Sequence, residues 1–344
     1  MSAKKRKLRT WSEFGDIRRR PTEYEIGAHA ANYTVRRDRM APLEQNPSSP
    51  GNLWFLAYRD NSPLQLDDWE VYRDPDQLTY RAYVAKQAAQ ETKVAGLMDS
   101  YSNIGHDQSL SPGWVGILRT FYTPIRYPAH ALQMLQAYVA HMSPTAYITN
   151  AASLSMADQL RRVTVVSIRT RELQLGYPDA GFATGERDVW EGHDGWQPTR
   201  ELLERALIAY DWGEALTAAN LVIAPTLDDV LNRQLGDVAR ANGDDLTWLL
   251  CQNLHEDSAR RARWSSAVAS LAVEGRAENK PAFESWIAKW APRADAAALA
   301  LGGILAGAPN GDVDAETVAA EAAEARQQVL AVAGLGEPAL QSTG

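Results

Sequence analysis

Between Pro144 and Gly176 nothing in the sequence interrupts a helix. Residues 145–175 as a single helix span ~46 Å at 1.5 Å per residue, longer than most small domains are wide. A chain with one such rod is restricted to folds that give it partners of similar length, and the sequence supplies them. Pro128 fits the first turn of a helix reaching His141, and Ser143 and Pro144 start the long one. Pro198 opens a further helix carrying Leu202, Leu203, Ala206, Leu207 and Tyr210, expected to run to Pro225. Gly243 and Gly275 bracket another, with Leu246, Leu249, Leu250, Leu254, Trp264, Val268 and Leu271. Phe283, Trp286, Ile287 and Trp290 recur at i, i+3, i+4 and i+7, one apolar stripe. Asp76 is placed to cap a helix over 77–100, with Tyr80, Val84, Ala88 and Val94 near one face. Alternation of β-branched residues is nearly absent. Long helices with short joins predict an all-α bundle over residues 76–305.

Size and composition agree. The 344 residues are 45% hydrophobic and 23% charged, enough for a core in one large domain or two ordinary ones. Global disorder is excluded. Cys251 is the single cysteine, so no disulfide scaffold exists. It sits beside Leu249 and Leu250 and reads as a small buried hydrophobe. No run of ~18 uncharged apolar residues is present, and no apolar segment follows the basic start MSAKKRKLRT. The expectation is a cytoplasmic protein with no membrane partner.

Residues 1–75 differ from the rest. They hold six prolines and no sustained helical period, yet nine of the chain's 29 aromatic residues. Disordered segments are poor in aromatics. An extended arm with these rings must pack them on its own helical body or on another chain. Trp11, Phe14, Tyr24, Trp54, Tyr58 and Trp69, with Arg18, Arg19 and Arg20, are the candidate partner-interface residues, since Trp, Tyr and Arg dominate binding hot spots. At the other end, residues 306–344 are acidic and rich in Ala and Gly. Residues 315–333 offer a polar helix with a weak apolar face, and a mobile tail is expected.

Net charge is −8, but residues 1–40 carry 11 Lys/Arg against 5 Asp/Glu, leaving −14 for the remainder. A basic head on an acidic body argues against a dedicated nucleic-acid binder. Lys4, Lys5, Arg6 and Lys7 read as a solvated terminus, with a nucleic-acid patch as the alternative.

Catalytic signatures are missing. A carboxylate-bridged di-iron bundle needs Glu-x-x-His on two helices, because residues three apart share a face and reach one metal pair. No Glu in the chain has His three positions on, and the six histidines (His29, His106, His130, His141, His193 and His255) are scattered. No G-x-S-x-G elbow exists. The glycines of GGILAGAPNG (302–311) lack the Lys-Ser/Thr of a phosphate loop. Asp158 with Arg161 and Arg162 is either a buried functional acid or, the blander reading, an ion pair within its own helix. Glu91 and Lys93 read as a solvated face. No catalytic, cofactor-binding or metal residue is assigned to this chain.

Several stretches, in order and at matching spacing, resemble one family: RTWSEFGDIRRRPTEYEI (9–26), NLWFLAYRDNSPLQLDDWEVYRDPDQLTYRAY (52–83), RYPAHALQM (126–134), RTRELQLGYPDAGF (169–182), WQPTRELLERALIAYDWGEALTAANLVIAP (196–225), RWSSA (263–267) and WIAKWAP (286–292). They are similar to the β subunit of the hydroxylase component of four-component toluene and alkene di-iron monooxygenases. The resemblance implies a ferritin-like bundle without iron ligands, in an α2β2γ2 hydroxylase with an α subunit and a γ subunit. It places the di-iron centre, O2 activation and hydrocarbon oxidation in α. It implies electrons from NADH through an FAD reductase and a Rieske 2Fe-2S ferredoxin, a small effector protein, and an N-terminal arm lying on α. The resemblance does not extend past about residue 305. From other classes, the rivals are a free-standing ferritin-like oxidase and a helical adaptor with a nucleic-acid-contacting N-terminus.

Overall fold

The computed structural model describes residues 21–30 and 50–336. Trp11, Phe14, Arg18, Arg19 and Arg20 lie outside the described residues. Among the described residues every regular element is helical. After α1 (Glu23–Ala30), α2 (Pro50–Phe55) runs on into a π-helical turn at Leu56–Asp60. The first long helix is α3 (Tyr80–Asn103). It starts later than expected, because Thr79 and not Asp76 caps it: Thr79 Oγ1 accepts from the backbone N–H of Ala82 at 3.1 Å. Asp76 is engaged elsewhere, 2.8 Å from Arg263.

Next come α4 (Pro112–Ile117), α5 (Arg126–Met142) and α6 (Ala146–Gly176), the predicted rod, capped by Thr145. The tight join Ser143–Thr145 folds α5 back along α6. Two short helices follow, α7 (Glu186–Gly192) and α8 (Gln197–Ala206). The predicted helix over 198–225 is corrected here. It breaks after Ala206, and Asp211 caps a new start by accepting from the N–H groups of Gly213 and Glu214. From there α9 (Trp212–Leu216), α10 (Ala224–Asp228) and α11 (Leu235–Ala241) form one run, joined by π-helical turns at Thr217–Ile223 and Asp229–Gln234. Pro225 sits inside that run. The wide turn before it changes the hydrogen-bond register, so Pro225 falls in a first turn where its missing N–H costs nothing.

The bundle closes with α12 (Asp245–Gly275) and α13 (Asn279–Leu305). The α9–α11 run forms its centre: Ala218 to Val230 are almost entirely buried. Around it α5, α6, α8, α12 and α13 pack, with Trp114, Trp196, Trp212, Trp264 and Trp290 as the largest buried side chains. Cys251 lies in this core, and burial pushes its thiol up to about 12.

The expectation of a mobile tail from 306 is overturned by α14 (Ala315–Val332). It packs on α10 and α13 through Val318, Ala322, Arg326 and Leu330, one residue per turn. Two features made its buried stripe look weak. Alanine packs well where backbones approach closely, and a Cβ on Gly302 would stand 2.9 Å from the Ala315 Cα. Arg326 is buried as an ion pair, 2.6 Å from Asp295. The aromatic-rich segment of residues 50–75 lies against this same body, and Leu64 and Tyr72 are core residues.

Candidate functional site

The interior polar groups of the bundle form a charge lattice on α3, α6, α10 and α12. On α6, Asp158, Arg161 and Arg162 share the inward face, and on α12 so do Asp257, Arg260 and Arg261. These are two copies of one pattern, Asp-x-x-Arg-Arg, at 158–162 and 257–261. Three- and four-residue spacing puts each set on one helix face.

Asp158 does not pair within its helix, as the blander reading expected. Its partner is Arg260 across the bundle, and it also accepts from Tyr83 Oη and Gln87 Nε2, both at 2.8 Å. Arg161 donates to Asp257 at 2.7 Å and to Glu91 at 2.6 Å, so Glu91 is not merely a solvated face. Gln87 Nε2 ties the two copies together by also donating to Asp257 at 2.8 Å. Deeper in, Asp228 of α10 receives Arg162 and Arg261, each at 2.6 Å. Ser258 Oγ accepts from Arg162 at 3.1 Å.

Burial alone would raise the Asp228 carboxyl, but the two guanidiniums outweigh it and hold it well below the usual range. Burial lowers Arg260 and raises Tyr83. Among the described residues the lattice brings four guanidiniums to three aspartates, with Glu91 at the rim and the buried Asp74 acting on Arg260. Nε and Nη1 of both Arg260 and Arg261 have no hydrogen-bond partner among the described residues.

A second buried cluster pins the start of α12. Asp244 accepts from Thr247 N–H at 2.9 Å and Trp114 Nε1 at 2.9 Å, and meets His106 Nε2 at 3.1 Å. Burial pushes Asp244 up, but the His106 hydrogen bond and Arg169 bring it below its ordinary value. Arg169 in turn grips Asp107 through two 2.7 Å bonds. His106 is thus a satisfied structural histidine.

A bundle of this architecture holds a metal pair with carboxylates and histidines three residues apart on facing helices. Here that spacing carries Asp158/Arg161 and Asp257/Arg260. Their carboxylates are neutralised by guanidiniums, and a cation placed among four arginines would be repelled. These residues do not fit a di-iron centre. Among the described residues no group of three or more His, Cys, Asp or Glu is arranged to hold a metal ion. The repeated Asp-x-x-Arg-Arg at 158–162 and 257–261 is the sequence signal that locates the lattice.

The candidate interface residues are divided. Tyr24 is 4% exposed and packs on Tyr147 at 5.8 Å, so its ring is used inside this chain. Trp69 stands edge-on to Trp212 at 5.1 Å. Trp54 is 37% exposed and meets Tyr58 at 4.6 Å and Tyr210 at 4.9 Å. Its Nε1 donates to Tyr138 Oη at 3.0 Å. The result is a surface aromatic cluster drawn from three segments far apart in sequence.

Fold and interior together define an all-helical bundle whose long inner helices carry buried ion pairs at three- and four-residue spacing. Comparison with known proteins identifies its kind. The family model described as Methane/Phenol/Alkene Hydroxylase matches residues 54–275, and the chain belongs to that family. The β subunit of the hydroxylase component of the toluene-4-monooxygenase system of Ectopseudomonas mendocina is 42% identical, over 86% of this chain and 90% of that protein. A solved structure of toluene 4-monooxygenase, with toluene bound in the resting active site, superposes with a TM-score of 0.82 at 41% identity, covering 88% of this chain and 99% of the matched one. The oxygenase component of phenol 2-monooxygenase from Pseudomonas sp. strain CF600 is 25% identical over 66% of this chain but only 43% of its own length. The fold is the expected ferritin-like bundle. No helix among the described residues is long and apolar enough to cross a membrane.

Proposed function

We propose that this chain is the non-catalytic β subunit of a multicomponent monooxygenase hydroxylase. The complex inserts one atom of O2 into an aromatic or alkene hydrocarbon, with the chemistry in a longer α subunit. The observation that carries this reading is the lattice: the inward positions of α6 and α12 are committed to Arg–Asp pairs. In the proposed assembly, α2β2γ2, the α subunit holds the di-iron centre. An FAD reductase and a Rieske 2Fe-2S ferredoxin bring electrons from NADH, and an effector protein acts on the complex.

The chain's own contribution is mechanical. Ligands of a catalytic bundle must be held within ~0.5 Å of the productive geometry by what surrounds them. A second bundle, cross-braced internally by charge pairs on four helices, is a stiff wall to pack against. The N-terminal arm with Trp11, Phe14 and Arg18–Arg20, and the Trp54–Tyr58 cluster, are the proposed grips on α.

The test is co-expression with a candidate α chain, followed by iron analysis of each purified species. The α-containing complex is expected to hold two irons per α and the isolated chain close to none. Near-stoichiometric iron and hydrocarbon turnover by the isolated chain would overturn the reading.

A further inference from the structure

A pocket of about 300 Å3 opens between α10, α12 and α14. Its walls are apolar and small: Ala259 and Ala262 of α12, with Ala325, Val329 and Val332 of α14. Charge enters at two depths. At the rim His255 and Arg263 are exposed, and Asp76 holds Arg263 at 2.8 Å. Inside, Arg261 lines the pocket while only 2% exposed. Its Nη2 stands 2.6 Å from Asp228 Oδ2. Its Nε and Nη1 find no acceptor among the described residues. Leaving buried guanidinium donors unpaired is unfavourable, so a group that accepts from them is favoured at this spot.

The charge of that group follows from the surroundings of Asp228. Arg162 and Arg261 both pair with this one carboxylate, so the triad keeps one positive charge. The other lining acid, Asp229, is engaged elsewhere: Arg233 holds it at 2.5 and 3.0 Å, and Gln234 at 2.6 Å. One surplus charge is balanced by a monoanion. A phosphate dianion would bring a second charge among alanines and valines with nothing to neutralise it. The same walls reward a hydrocarbon body. Ligand pockets run from ~300 to 1,000 Å3. This one lies at the small end, which suits a single ring or a short alkyl chain and excludes a nucleotide.

We propose that the pocket binds a small apolar monocarboxylate, its carboxylate on Arg261 and its hydrocarbon body between α12 and α14. The site stands on this chain alone and goes beyond the β-subunit reading. One of its walls, α14, lies outside the residues 54–275 that the family model matches. A ligand seated there touches both helices and fastens α14 to α12. Because it binds the folded chain, it raises stability by mass action.

The test titrates the purified full chain at neutral pH with benzoate, hexanoate, neutral benzamide and inorganic phosphate. Calorimetry and melting read the binding. At least one of the two acids is expected to bind with a Kd of about 1 mM or tighter. At about ten times Kd it should raise the melting temperature by about 2–4 °C, and it should slow amide exchange in residues 325–332. Benzamide and phosphate are expected to bind about tenfold more weakly or worse. Two variants place the ligand. Arg261→Met removes the guanidinium but leaves Asp228 its pair with Arg162, so it is expected to fold. Ala325→Phe fills the pocket and keeps every charge. Each should weaken acid binding about tenfold or more. If Arg261→Met misfolds, Ala325→Phe decides by the same titration. Phosphate as tight as the acids makes this a bare anion site, and benzamide as tight makes it an apolar one; both overturn the proposal. So does the absence of binding by either acid up to ~10 mM, and so does undiminished binding by a folded variant. None of these outcomes bears on iron content or on assembly with α, which decide the β-subunit reading separately.

Discussion

Asp228 of α10 accepts from Arg162 of α6 at 2.6 Å, and the two side chains are only 6% and 3% exposed. Such a pair is weak evidence for net stability, because removing both charges from water costs as much as their attraction returns. Removing one partner is another matter. Asp228→Ala leaves Arg162 and Arg261 facing each other without a counter-charge. It is expected to cost about 3–5 kcal/mol, read as a lowered midpoint in urea or guanidinium unfolding. An apolar replacement of the whole triad should restore much of that loss.

The same carboxylate gives a pH signature. Its folded pKa lies below the unfolded value of about 3.9. A depressed acid contributes stability that is fully present above the unfolded pKa and is lost as pH falls through the folded one. The stability difference between wild type and Asp228→Asn should therefore be flat from neutral pH down to about 5. It should shrink below about pH 3.9. Denaturant titrations of both proteins at matched pH check this. A difference that changes between pH 6 and 8 would contradict the assignment.

The long helices were legible because their caps and breakers are local: Pro144, Gly176, Gly243 and Gly275 bound α6 and α12 within a few residues. Errors arose where a distant partner decided the outcome. Pro225 looked like a stop, and only the π-helical turns around it, set by packing in the bundle centre, let the helix run through. Val318, Ala322 and Leu330 looked too sparse to bury until Gly302 brought the α13 and α14 backbones together. Asp158 stands out in the sequence, but its partner Arg260 lies 102 positions away, beyond any argument from helix periodicity. The lattice was visible only as a repeated five-residue pattern, and no single-helix rule connects two copies of it.

The arm should be dissected at residue 20 and not at residue 60. Tyr24 is buried on Tyr147, its hydroxyl accepts from the Asp74 N–H at 3.2 Å, and Trp54 braces Tyr138. Deleting 1–60 removes these contacts and is expected to lower the melting temperature by several degrees, since ~1 kcal/mol shifts a large domain by about 2–4 °C. Deleting 1–20 should leave melting unchanged while removing Trp11, Phe14 and Arg18–Arg20. Weakened assembly with α at unchanged melting temperature then assigns those five residues to the interface; unchanged assembly releases them from it.

Gly302 sets how closely α14 lies on α13. A Cβ there would meet the Val318 Cβ at 2.9 Å and the Ala315 carbonyl oxygen at 3.0 Å, and neither the backbone nor a β-carbon can swing aside. Gly302→Ala must push the start of α14 outward, loosening Val318 and, further along, the Arg326–Asp295 pair at 2.6 Å. Overpacking of this kind costs about 1–3 kcal/mol, against a gain of up to ~1 kcal/mol for alanine over glycine in a helix. The net expectation is a modest loss of stability, with faster amide exchange confined to 315–332. Exchange measured by mass spectrometry checks it: uniform protection of that helix in the variant would mean that α14 is held by its side chains alone.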